Sequence, residues 1–229
     1  MGRVSQYFNF QVNFPIISSL GTKHLDLGSG RNTRNPFGAE SVFGIDISLI
    51  DWEVNSNVTL LPADLTKPLP FQDNFFDTIS AFDLLEHIPR WERDITGSIQ
   101  YPFINLMNEV HRILKPSGLF TAVTPAYPAG EVFQDPTHIN FISSKTIDYF
   151  VSSAPHAETL GYGFIGHFAK VHQSWLKGGG PFETLEHRLS PGLKNPKQFG
   201  DSLRYLNRIR KLATVRKSSH LLWVLSAQK

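Results

Sequence analysis

The sequence has no cysteine. Disulfides, thiolate nucleophiles, zinc–cysteine sites and iron–sulfur clusters are therefore excluded, and the absence fits a reducing compartment. No run approaches the roughly eighteen apolar residues that a membrane span needs. Met1 to Phe10 lacks a basic region followed by an apolar stretch, so no signal peptide is expected. Gln6 stands where a myristoylation signal after Gly2 would need Ser or Thr. An excess of one charge is also missing: 22 Lys and Arg face 20 Asp and Glu, a net charge of +2. That balance does not point to a nucleic-acid partner. The expectation is a soluble, cytoplasmic protein.

The 229 residues present are enough for one sizeable core and short for two. There is no internal repeat. Strand-like and helix-like segments alternate through the first two-thirds, the pattern of an α/β protein with a parallel sheet. Strands are expected at 24–27, 41–46, 58–61, 76–82 and 119–123. A helix is expected over 103–114, where Phe103, Leu106, Met107, Val110, Ile113 and Leu114 share one face. Lys115-Pro116-Ser117-Gly118 should stop it. Beyond Pro125 the pattern loosens, with a strand at 168–175, an amphipathic helix at 199–215 and a closing strand at 220–227. Between Arg188 and Lys217 there are nine Lys or Arg and one acid, Asp201. The helix there reads first as a surface helix. Peripheral contact with an anionic membrane or an acidic substrate is the alternative.

Four expected strand ends carry polar residues in an order that suits a nucleoside ligand. Ligands of open α/β sheets bind beyond the carboxyl ends of the strands. The first strand runs into Asp26-Leu27-Gly28-Ser29-Gly30, whose glycines let the backbone approach a ligand. Asp46 ends the second strand, and a carboxylate there accepts hydrogen bonds from ribose hydroxyls. Asp64 follows the third and can accept from an adenine amino group. The fourth leads into Asp83-Leu84-Leu85-Glu86-His87-Ile88. Any one piece alone reads as a tight turn or a polar strand end.

As a set, these stretches resemble the class I S-adenosylmethionine-dependent methyltransferases. The matching segments are His24–Gly30, Gly44–Ser48, Ala63–Leu65, Leu69–Asp77, Leu84–Ile88 and Asn108–Leu119, within residues 20–125. The resemblance implies a Rossmann-like, seven-stranded, mostly parallel sheet with helices on both faces and an antiparallel closing strand. It implies one domain over 1–229, with 20–125 the cofactor-binding core and 126–219 acceptor-side insertions and helices. It places Asp26, Gly28, Ser29 and Gly30 around the methionine part of the cofactor, Asp46 and Ile47 at the ribose, and Ala63, Asp64 and Leu65 at the adenine. Phe82 and Asp83 would line the cleft. The chain departs from the family after the glycine turn: Asn35-Pro36 cannot continue a helix, so the first helix is short or displaced.

A hydroxyl acceptor needs a base or a metal. His87, His138 and Asp135 are the candidates for catalysis, each with a structural alternative as a packed or loop-holding residue. The Asp-x-x-Glu-His spacing with a later His138 is similar to metal sites of some RNA and quinone O-methyltransferases, so a divalent metal is an alternative and not the first expectation. Trp91, Tyr127, Phe133 and Phe141 read as a lid or as a solvated loop. Thr124-Pro125 and Asp135-Pro136-Thr137-His138 resemble bacterial methyltransferase-like proteins of polysaccharide or secondary-metabolite synthesis. The implied acceptor is a small hydroxylated molecule such as a sugar. Two rivals remain. A nicotinamide oxidoreductase would want a third glycine where Arg31-Asn32-Thr33 stands, and no Tyr-x-x-x-Lys pair occurs. A non-catalytic or regulatory binder of the same cofactor would look alike in sequence.

Overall fold

The computed structural model describes residues 22–30, 32–48, 58–176 and 219–229. Its elements are β1 (Lys23–Leu27), β2 (Ser41–Asp46), β3 (Val58–Pro62), β4 (Phe76–Phe82), β5 (Glu92–Arg93), β6 (Ile99–Gln100), α1 (Pro102–Ile113), β7 (Leu114–Tyr127), β8 (Ile142–Ser143), α2 (His156–Thr159), β9 (Phe168–Leu176) and β10 (His220–Ala227). The N-terminal segment, for which no signal peptide is expected, and the basic helix expected at 199–215 lie outside the described residues.

The main sheet runs β3-β2-β1-β4-β7-β10-β9, with β8 paired to β7. β3, β2, β1, β4 and β7 are parallel, and β10 runs antiparallel to both of its neighbours. The expected seven-stranded sheet with its antiparallel closing strand is present, and short β8 makes an eighth strand. Chain order reverses between β1 and β4, which opens a crevice at their carboxyl ends.

Period-two burial explains why β10 is central. Leu221, Trp223 and Leu225 face the larger core with α1, while Leu222 and Val224 join Phe82, Val123 and Leu176 in a second cluster. A strand buried on both faces must be apolar at every position, as Leu221–Leu225 is.

Pro102 begins α1 at a position where its missing N–H costs nothing. The helix buries Phe103, Leu106, Met107, Val110 and Ile113. The expected stop at 115–118 is realised differently. Ladder pairing starts already at Leu114, opposite Phe76, and resumes at Leu119 opposite Thr78 after an irregularity that holds Ser117 at φ +62°. The extra residues are absorbed as a bulge within β7 instead of a separate turn.

Two stretches of the motif set clasp each other. Arg112 donates to Glu109, to Asp73 and to the carbonyls of Leu69 and Phe71, and Glu109 accepts from the Leu69 N–H at 2.6 Å. This fastens the segment before β4 to α1. The polar region after Ile88, which holds Trp91 and was open to reading as a lid or a solvated loop, forms the β5–β6 hairpin around Asp94.

Candidate active site

Gly28 and Gly30 have φ of +61° and +53°, which side-chain-bearing residues avoid. They turn the chain sharply at the end of β1. Gly30 N–H donates to Asp46 Oδ2 at 3.2 Å, and Ser48 N–H donates to Oδ1 at 3.0 Å. Two lone-pair sites of this half-buried carboxylate therefore remain for hydroxyl donors. Buried Ser29 anchors the turn to β2 through its N–H and the Ile45 carbonyl. Ala63 N–H bonds the Asp46 carbonyl, which brings the β3 exit beside the β2 exit. Asp64 Oδ1 accepts from the N–H and hydroxyl of Thr66, holding its pKa below the usual value although burial opposes this. Leu65 packs on the core, and Ile47 is exposed at the rim.

Asp26 faces inward. It is fully buried and accepts from Ser80 Oγ at 2.6 Å and from the Arg34 N–H at 2.7 Å. Burial raises its pKa to about 6, against the lowering effect of those two bonds. It holds the loop after the glycine turn across the sheet instead of presenting an oxygen to the crevice. Residues 32–40 make turns and bends with no helix, in accord with Asn35-Pro36. Asn35 folds back to bond Ala39 with both ends of its amide.

At the far side, Phe82 ends β4 and is followed by Asp83 at φ +49°. Asp83 N–H bonds the Val123 carbonyl, and its Oδ1 lies 3.2 Å from His220 Nε2. His220, the first residue of β10, was absent from the sequence candidates. Its only sequence signal is a polar residue placed directly before the apolar run Leu221–Leu225.

Glu86, His87 and His138 come together. Glu86 is 2% exposed, accepts from the Thr124 hydroxyl at 2.8 Å and stands 4.0 Å from His138 Nε2. Burial raises the Glu86 pKa to about 7. The two imidazoles meet edge to face at 4.9 Å. Their tautomers follow from their partners. His138 Nδ1 is 3.0 Å from the Val132 carbonyl, which only accepts, so Nδ1 carries hydrogen and Nε2 the lone pair of the neutral ring. Thr137 donates its one hydroxyl hydrogen to Asp135, so it accepts from His87 Nδ1. His87 Nε2 then also carries a lone pair. Asp135 is exposed and spends Oδ1 on the Thr137 N–H and hydroxyl; these bonds hold its pKa low. It orients His87 through Thr137.

Trp91, Tyr127, Phe133 and Phe141 are all more than 40% exposed, and the last two rings touch at 5.1 Å. Arg90 fastens this rim by bonding Asn140 and the Phe141 carbonyl. Among the described residues no helix is long and apolar enough to cross a membrane.

A parallel sheet with a reversal between β1 and β4, a glycine turn there and acidic strand exits define a Rossmann-like protein of the class I type. The model of a family described as a methyltransferase domain matches residues 9–154, and the chain belongs to that family: it is an S-adenosylmethionine-dependent methyltransferase. Solved structures share the fold. A SAM-dependent methyltransferase from Archaeoglobus fulgidus is 15% identical with a TM-score of 0.55, covering 92% of this chain and 87% of its own. One from Mesorhizobium loti is 15% identical with a TM-score of 0.51, covering 92% and 94%. The [4+2]-cyclase SpnF is equally similar, at 15% identity and a TM-score of 0.50, covering 91% of this chain and 75% of its own. At such identities the likeness speaks for the fold alone, and a cyclase on the same fold shows why the acceptor must be argued from the site. No curated protein sequence matches the chain.

Proposed function

We propose that the enzyme methylates a hydroxyl of a small acceptor, such as a sugar or a secondary metabolite, with His138 taking the acceptor's proton. S-adenosylmethionine supplies a methyl group on a sulfonium, whose departure leaves a neutral thioether. The Gly28–Gly30 turn, including Ser29, receives the methionine part. Asp46 accepts from the ribose hydroxyls beside Ile47. Ala63, Asp64 and Leu65 border the adenine, and Phe82 and Asp83 line the methyl side. Asp26 acts beneath them by holding the loop.

The observation that carries the reading is the His138–Glu86 pair. Val132 fixes the tautomer that leaves Nε2 able to accept a proton. The 4.0 Å gap to Glu86 Oε1 is too long for a hydrogen bond, so that lone pair is not consumed by the carboxylate. As the oxygen–methyl bond forms and the sulfur–methyl bond breaks, the hydroxyl proton passes to Nε2, and ionised Glu86 stabilises the imidazolium.

The test is calorimetric titration with S-adenosylmethionine and S-adenosylhomocysteine, beside Asp46→Ala, followed by a screen of hydroxylated acceptors. Micromolar binding that is lost in D46A, and turnover that is lost in His138→Gln, are expected. A folded protein that binds neither ligand overturns the reading.

A second reading, metal-assisted transfer, is favoured by one observation. One ligand atom each from Glu86, His87 and His138 lies within 4.8 Å of the other two. A carboxylate oxygen with two imidazole nitrogens suits zinc, manganese or magnesium. These three residues would hold the ion, and the bound ion would acidify the acceptor hydroxyl. Turnover abolished by chelation and restored by one of these ions would support it. Full activity after chelation would exclude it.

A further inference from the structure

The described part of the loop after β1 contains no helix. Elsewhere in this architecture, a helix N-terminus placed there offers N–H groups and a partial positive charge to an anionic ligand group. Among the described residues of that loop this source of positive charge is missing, and a cation stands in the same crevice. Arg34 is half-buried and spans the reversal between β1 and β4. Its backbone N–H is bound to Asp26 on β1. Its guanidinium lies over the Phe82 ring, 4.8 Å from the centroid, with Nη1 3.4 Å from the Phe82 carbonyl at the end of β4. That contact is long, and among the described residues Arg34 forms no ion pair within 4 Å, its charge acting on buried Asp26 only from further away, so most of the planar donor fork makes no hydrogen bond there.

We propose that Arg34 is the residue that recognises the carboxylate of the cofactor's methionine part, a task the missing helix would otherwise share. This rests on the methyltransferase pocket described above. Three observations converge on it. The backbone bond to Asp26 fixes where the side chain starts. The contact with the Phe82 ring holds the guanidinium against the crevice wall. The uncommitted fork matches a carboxylate bidentately. The Asp26–Arg34 contact then acquires a purpose: a buried acid at the end of β1 positions, through a backbone bond, the cation that reads the ligand's anion.

The experiment is calorimetry of wild type, Arg34→Gln and Arg34→Lys with two probes, S-adenosylhomocysteine and its decarboxylated analogue. The Asp26 bond uses the backbone, so both substitutions keep it, and thermal melts confirm folding. Wild type is expected to prefer the carboxylated probe by roughly tenfold to a hundredfold, the range of a charge-assisted pair. R34Q should lose that preference while binding the analogue as wild type does. R34K, which keeps the charge but not the fork, should fall between. Equal weakening of both probes in R34Q, or an unchanged preference, overturns the assignment to Arg34 while leaving the pocket standing. Failure of wild type to bind either probe overturns the pocket itself and Arg34's role with it.

Discussion

His220 Nε2 lies 3.2 Å from Asp83 Oδ1, so the first residue of the closing strand grips the residue that leaves β4. The contact is braced from behind, since Ser219 Oγ is 2.7 Å from His220 Nδ1. It joins two segments 137 positions apart (220 − 83) at the mouth of the crevice. It also holds Asp83 in a left-handed conformation, at φ +49°.

That conformation gives the first prediction. Asp83→Ala and Asp83→Gly both lose the His220 contact, but only glycine relieves the backbone. Urea unfolding should find D83G more stable than D83A by about 1 kcal/mol. Equal stabilities would mean that the left-handed backbone costs nothing here.

Glu86→Gln should keep the fold, because the amide oxygen still accepts from Thr124. It removes the negative charge facing His138. Turnover should fall roughly a hundredfold or more, with the affinity for S-adenosylhomocysteine nearly unchanged. A parallel loss of cofactor affinity would make Glu86 a structural residue of the pocket.

Asp26→Ala leaves the Ser80 hydroxyl and the Arg34 N–H without their acceptor. The expected cost is on the order of 2–4 kcal/mol. Amide exchange should quicken at Arg34 and its loop neighbours before it quickens in β4. Uniform quickening would show that Asp26 supports the sheet and not the loop.

His24 is buried and neutral. Ser80 donates to Asp26 and so accepts from His24 Nε2, while Thr78 lies 2.8 Å from Nδ1. Burial lowers its pKa from 6.5 to about 3. A base with a lowered folded pKa contributes stability that is present above pH 6.5 and is lost as pH falls toward 3. His24→Gln keeps a donor to Ser80 and does not titrate. The stability advantage of wild type over H24Q should therefore shrink by about 1.4 kcal/mol per pH unit below 6.5. A gap independent of pH between 7 and 4 would show that His24 is not held neutral.

The sequence was informative wherever a local pattern has a local cause. Alternation and β-branched content located β1 to β4, β9 and β10, and the 3.6-residue stripe located α1. Asn35-Pro36 pointed to a short or displaced first helix, because proline acts on its own backbone and on the residue before it, and the structure goes further, with no helix at 32–40. The Glu86-His87 and Thr137-His138 segments were recognisable as candidates, and their similarity to known metal sites grouped them, but the distances and tautomers that relate them depend on how distant segments pack.

Chain chemistry alone thus determined the fold class, the glycine turn and the acidic strand exits, since each depends on residues near one another in sequence. Tertiary structure decided the rest. It turned Asp26 inward, brought Glu86 beside His138, gave Asp135 its role behind His87 through Thr137, set His220 against Asp83 and laid Arg34 over Phe82. Each of these contacts joins segments whose approach is fixed by the order and register of the sheet, and burial in that sheet shifts the acids' pKa values. A carboxylate's identity is written in the chain, but its environment is assembled only when distant strands pair.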